Sequence, residues 1–129
     1  MNRRIHRIEG LYNTLVPFHV MSGNQESISQ GEYISLECFH TKLYSTDSQV
    51  EFNLSNGVQA GQLKKLTFVH KGSENANIVV FCMSLPGDSS KIEFTNVGDS
   101  ATLMYTGGIW IILETLNYSN PSLFSPIVT

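Results

Sequence analysis

Four histidines, two cysteines and eleven carboxylates are the side chains of this 129-residue sequence best equipped for catalysis or metal binding. A thiolate nucleophile needs an electropositive, partly solvated setting. Cys38 and Cys82 instead sit 44 positions apart inside apolar segments, where a free cysteine behaves as a small hydrophobe. Two buried free thiols are expected, with a single disulfide as the alternative. His6, His19, His40 and His70 are scattered singly, without the close pairs usual in metal sites, although convergence on adjacent strands stays open. Glu37 and Glu51 would face each other if their strands were neighbours, as polar positions on a solvated face routinely do. Asp88 and Asp99 fall in turn sequences, where aspartate bonds its own backbone. Neither a Gly-x-Ser-x-Gly elbow nor a phosphate-binding Gly-x-x-x-x-Gly-Lys occurs. These residues point to no catalytic centre, no metal and no cofactor.

Binding chemistry is equally sparse. The net charge is −3, from 11 acidic and 8 basic residues, so the chain lacks the basic balance of a nucleic-acid binder. Lys64 and Lys65 are adjacent and point to opposite faces of any strand that carries them. Trp110, Tyr105, Tyr33, Tyr44 and Tyr118 offer stacking faces for a glycan. Trp110, however, lies two residues past Gly107-Gly108 between isoleucines, which reads as a core or hairpin-packing tryptophan. No run approaches the roughly 18 apolar residues of a membrane span. Arg3, Arg4 and Arg7 precede no continuous apolar stretch, so a secretory signal is not expected.

The elements that must position these residues follow from periodicity. Ile5, Ile8, Leu11, Tyr12 and Leu15 recur at helical spacing, and Pro17 ends any helix there. A segment this short needs a partner surface to stay helical. Three of the eight basic residues lie in the first seven positions, leaving 5 basic and 10 acidic residues in 11–129. Residues 1–27 are therefore read as an arm with a positive tip, closed by a linker over 22–27. From residue 28 onward the period is two. Ile34, Leu36 and Cys38 start a strand running towards Tyr44. Val50, Phe52 and Leu54, then Lys64, Leu66, Phe68 and His70, then residues 77–83, Ile92 with Phe94, residues 101–105 and residues 109–113 give the rest. Gly, Asn, Asp and Pro separate them, and Thr106-Gly107-Gly108 is the clearest hairpin. With 41% hydrophobic and 15% charged residues, the chain can fill a core. This pattern predicts an all-β domain over 28–116, an antiparallel β-sandwich or small jelly-roll-like barrel. The segment 117–129 is a Pro-containing tail, whose Leu123, Phe124, Ile127 and Val128 need cover from the domain or from a neighbouring subunit.

Several of these segments form an order. Gly61-Gln62-Leu63-Lys64-Lys65-Leu66-Thr67-Phe68-Val69 is followed by Ile92-Glu93-Phe94, by Val97-Gly98-Asp99-Ser100-Ala101-Thr102-Leu103-Met104-Tyr105, and by Gly107-Gly108-Ile109-Trp110-Ile111-Ile112. Over residues 48–114, about half of the chain, this resembles a small β domain of virion structural proteins in tailed phages and some large DNA viruses. Tyr105 stands where that pattern often has Trp. The resemblance implies a homotrimer that decorates a capsid or ends a tail fibre. A chain of 129 residues leaves no room for a long fibre shaft and an anchoring domain, which favours a capsid decoration or cement protein at the virion surface, made in the host cytoplasm. On that reading the arm residues Arg3, Arg4, Ile5, Arg7, Ile8, Leu11 and Tyr12 grip the major capsid protein, and Leu123, Phe124, Ile127 and Val128 lie between subunits. Nucleic acid and membrane are not expected as partners. The alternative is a receptor-binding tip that recognises a host surface glycan.

Overall fold

A computed structural model describes residues 25–117 and 126–129. Among them are nine strands and no helix: β1 (Glu26–Ile28), β2 (His40–Tyr44), β3 (Val50–Leu54), β4 (Leu63–His70), β5 (Ile78–Cys82), β6 (Lys91–Phe94), β7 (Ser100–Tyr105), β8 (Trp110–Leu116) and β9 (Ile127–Val128). They form a five-stranded sheet in the order β1-β2-β4-β7-β8 and a four-stranded sheet in the order β3-β5-β6-β9. The all-β sandwich expected from the period-two pattern is therefore observed. Both sheets are open rather than closed into a barrel.

Both sheets turn one apolar face inward. Leu43, Leu66, Phe68, Ala101, Leu103 and Trp110 from the first sheet pack in one core with Phe52, Leu54, Ile78, Val80, Ile92 and Phe94 from the second. Strand β4 alternates buried and half-buried residues throughout, from half-buried Leu63 to half-buried Val69, as a half-solvated strand should. Burying each Leu, Ile or Phe side chain contributes about 1.5–3 kcal/mol, so the facing rows hold the sheets together.

The sheets are mixed rather than purely antiparallel. Pairs β4–β7, β7–β8, β5–β6 and β6–β9 are antiparallel, whereas β1–β2, β2–β4 and β3–β5 are parallel. Parallel neighbours need a crossover connection. Here the crossover between β2 and β4 is β3, a strand of the opposite sheet, and the crossover between β3 and β5 is β4. Between Glu26 and Cys82 the chain thus stitches back and forth across the sandwich. Only from β5 onward do hairpins appear, and Thr106-Gly107-Gly108 joins β7 to β8 as its glycines suggest, with Gly107 at φ +104°.

Residues 29–39 do not continue as a strand. Ile34 and Cys38 are buried, but Tyr33 makes only an isolated bridge to Asn53. The reason lies in the hydrogen bonds. The Leu36 carbonyl accepts from Gln62 Nε2 at 2.8 Å, and the Ser35 and Cys38 carbonyls accept from Lys64 Nζ at 2.7 and 2.8 Å. Side chains from β4 and the residue before it take the place of a ladder, so the backbone is satisfied without a neighbouring strand. Ile34 N–H donates to Asn53 O, Asn53 N–H to Glu32 O and Lys65 N–H to Phe39 O. Residues 29–39 are a strap tied to both sheets.

Candidate functional site

The residues that carry the sequence resemblance build the frame. Gly61 N–H donates to Tyr105 O and Gly98 N–H to Phe68 O. Gln62 is fully buried, with Oε1 accepting from Val58 N–H at 2.5 Å and Nε2 donating to the strap. Asp99 Oδ2 accepts from Asn96 N–H at 3.0 Å and closes the turn before β7. Trp110 is fully buried; its backbone N–H reaches Ser84 O, its Nε1–H reaches Ser55 O at 2.8 Å, and its ring packs on Tyr105. Trp110 therefore pins β8 to the end of β3 and the loop after β5. The motif specifies turns and buried bonds.

The chemistry that is present lies under the strap. Lys64 points into the sandwich from the central strand β4 and is fully buried. Beyond the two carbonyls, its Nζ lies 3.7 Å from Cys38 Sγ. Burial lowers the Lys64 pKa from the usual lysine value, against the opposing pull of Cys38 and Glu26. Glu26 Oε2 accepts from Thr41 Oγ1 at 2.7 Å and Ser35 N–H at 3.0 Å, which fastens β1 to β2 and to the strap. The inward phase of Lys64, Leu66 and Phe68 was legible as a period of two, and it was the signal for a buried amine.

The outer face of the first sheet divides in two. Leu63, Met104 and Ile111 lie in register across β4, β7 and β8. Beside them β8 is an edge strand, paired among the described residues only with β7. Its pairing slips between Thr102 and Leu103, so that Ile112 meets Leu103, Glu114 meets Thr102, and Leu113 has no opposite residue. Leu113 is 51% exposed and Leu116 48% exposed. Towards the other edge the face is basic, with His40 opposite Lys65. His40 Nε2 lies 2.8 Å from Thr67 Oγ1; burial first, then the charges of Lys65, Lys42 and Lys64, lower its pKa below the ordinary 6.5.

On the second sheet a cleft of about 670 Å³ is lined by Ser29, Gln30, Gln49, Glu51, Asn53 and Phe81, among others. Tyr33, 69% exposed, stands in a smaller neighbouring hollow with Phe81 and Met83.

Of the residues expected to bind partners, Arg3, Arg4, Ile5, Arg7, Ile8, Leu11, Tyr12, Leu123 and Phe124 lie outside the described residues. Ile127 and Val128 form β9 on the edge of their own chain's second sheet, opposite Glu93 and Ile92. Cys38 and Cys82 are both free and buried. Glu37 and Glu51 do not face each other, because Glu37 is in the strap and Glu51 in β3. Among the described residues no three His, Cys, Asp or Glu side chains gather as a metal site would require. Compared with known proteins, the chain matches no family model and no curated sequence.

Proposed function

We propose that this chain is a virion structural protein, a capsid decoration or cement protein that acts as a homotrimer and stabilises the shell by binding the major capsid protein. The observation that carries the reading is the β8 edge. Sheet edges of soluble monomers are blunted by charge, proline or an outward twist. Strand β8 has a single charge, Glu114, and its bulge sets Leu113 out towards solvent beside Leu116. An apolar edge of this kind suits burial in an assembly. The opposite edge of the same sheet is β1, so β8 of one copy against the β1 side of the next is a heterologous contact that closes into a ring under threefold rotation. On this reading the residues that precede β1 bind the shell.

Light scattering at two concentrations tests the assembly. A mass near three times 14.4 kDa is expected, and a monomer at both concentrations overturns the reading. Deleting residues 1–20 should leave that mass per chain ratio intact and abolish binding to empty shells.

The cleft on the second sheet supports a second reading, a receptor-binding tip protein that recognises a host glycan. Amides of Gln30, Gln49 and Asn53 and the Glu51 carboxylate are suited to sugar hydroxyls, with the exposed Phe81 ring at the border. Trp110 takes no part, being wholly in the core. Glycan-array binding that is lost in Glu51→Gln and Phe81→Ala would favour this reading over decoration.

A further inference from the structure

We propose that Lys64 and Cys38 are a covalent modification site, at which peroxide oxidation links Cys38 Sγ to Lys64 Nζ as a sulfenamide that fastens the strap to β4. The proposal is independent of the assembly reading. Two carbonyls of the strap, Ser35 O at 2.7 Å and Cys38 O at 2.8 Å, hold Nζ in place, and they hold it 3.7 Å from the sulfur. Lys64 is fully buried and Cys38 is 6% exposed, so an oxidised sulfur meets this amine before it meets bulk water. A sulfenic acid condenses with a nearby nitrogen when one is in reach. Burial lowers the Lys64 pKa, against the opposing pull of Cys38 and Glu26, and so raises the share of amine with a lone pair to give.

Every atom is accounted for. The sulfur of Cys38 attacks one oxygen of hydrogen peroxide; the S–O bond forms, the O–O bond breaks, and the departing hydroxide takes the thiol proton as water. The Nζ lone pair then attacks Sγ; the S–N bond forms, the S–O bond breaks, and the second hydroxide takes a proton from Nζ as water. One thiol, one amine and one peroxide become a sulfenamide and two waters, and the chain loses two hydrogens. Cys82 is the internal control. Its Sγ faces the Val80 carbonyl at 4.0 Å, and burial pushes its pKa up to about 12, which keeps it a thiol.

The test is peroxide treatment of the full-length folded chain, followed by intact mass and peptide mapping. The expected product has lost two hydrogens, yields one cross-linked peptide joining the Cys38 and Lys64 segments, and reverts with dithiothreitol. The same treatment in urea should give no such peptide, since the pairing depends on the fold. Lys64→Met should leave Cys38 as sulfenic or sulfinic acid if that variant folds. A Cys38–Cys82 disulfide, a sulfinic Cys38 beside an unmodified Lys64 in the native chain, an unreacted Cys38, or an equal yield of the link in urea would each overturn the proposal.

Discussion

Trp110 and Tyr105 face each other across the β7–β8 hairpin with ring centroids 5.2 Å apart and planes inclined at 56°. The tilted geometry brings a ring edge towards a ring face, which adds about 0.5–1.5 kcal/mol to the area both rings bury. The indole Nε1–H adds a bond to Ser55 O, so this side chain ties the hairpin to the residue that follows β3.

Truncating that side chain should be the most damaging of the core changes considered. Trp110→Ala is expected to lose about 3–5 kcal/mol, and Trp110→Phe, which keeps a ring but drops the bond to Ser55, loses the bond's roughly 1 kcal/mol together with part of the packing. Urea unfolding midpoints at constant slope check both.

Removing the Lys64 amine strands two carbonyls of the strap. Lys64→Met preserves the apolar stem and should cost about 1–3 kcal/mol, the penalty for a buried polar group left without its partner. Hydrogen exchange separates this from general loosening: the amides of Ile34 and Ser35, bonded to Asn53 O and Glu26 Oε2, should lose protection before those of β7. Equal loss in both places would count against the strap's dependence on Lys64.

His40 should titrate below its ordinary 6.5, since burial and then Lys65, Lys42 and Lys64 disfavour its cation. With the folded pKa depressed, the unfolded chain binds the proton first as pH falls. The contribution of His40 to stability is therefore present above pH 6.5 and is lost as pH drops from there through the folded pKa. Imidazole chemical shifts report the midpoint, and Lys65→Met should move it upward. A midpoint unchanged in that variant would remove Lys65 as a cause.

Charge placed on the β8 edge should dissolve the proposed trimer and spare the fold. Leu113→Lys with Leu116→Lys alters two exposed positions, where substitutions rarely exceed about 0.5 kcal/mol. Far-UV circular dichroism is expected to stay the same while the light-scattering mass falls to that of a monomer. A double variant that keeps a trimeric mass would place the contact elsewhere.

Much of the fold was legible in the sequence, and the illegible part has a common cause. Alternation fixes which face a residue takes, so the inward rows of Phe52 and Leu54, of Leu66 and Phe68, and of Ile92 and Phe94 were readable. It does not fix which strand lies next door, and so the parallel pairs β2–β4 and β3–β5 were not. Ile34, Leu36 and Cys38 alternate like a strand, yet the ladder they imitate is supplied by Gln62 and Lys64 from 26 positions further along. Lys64 shares its phase with Leu66, but the ordinary preference of a lysine for water hid its burial, and the sequence showed only that Lys64 and Lys65 take opposite faces. The open β8 edge depends on a one-residue slip at Leu113 that no local pattern announces.

The stitched path of the chain governs how the molecule bears load. A pull through the residues before β1 and through β9 acts on opposite sheets, on strands that pair over three and two residue positions. With so few pairs, these seams are expected to be the first to give way. Separating the parallel strands β3 and β5, whose connection runs through the other sheet, disturbs both sheets, whereas β8 can peel from β7 as one arm of a hairpin. A domain built this way has its short seams at its ends and its longer parallel ones at its centre.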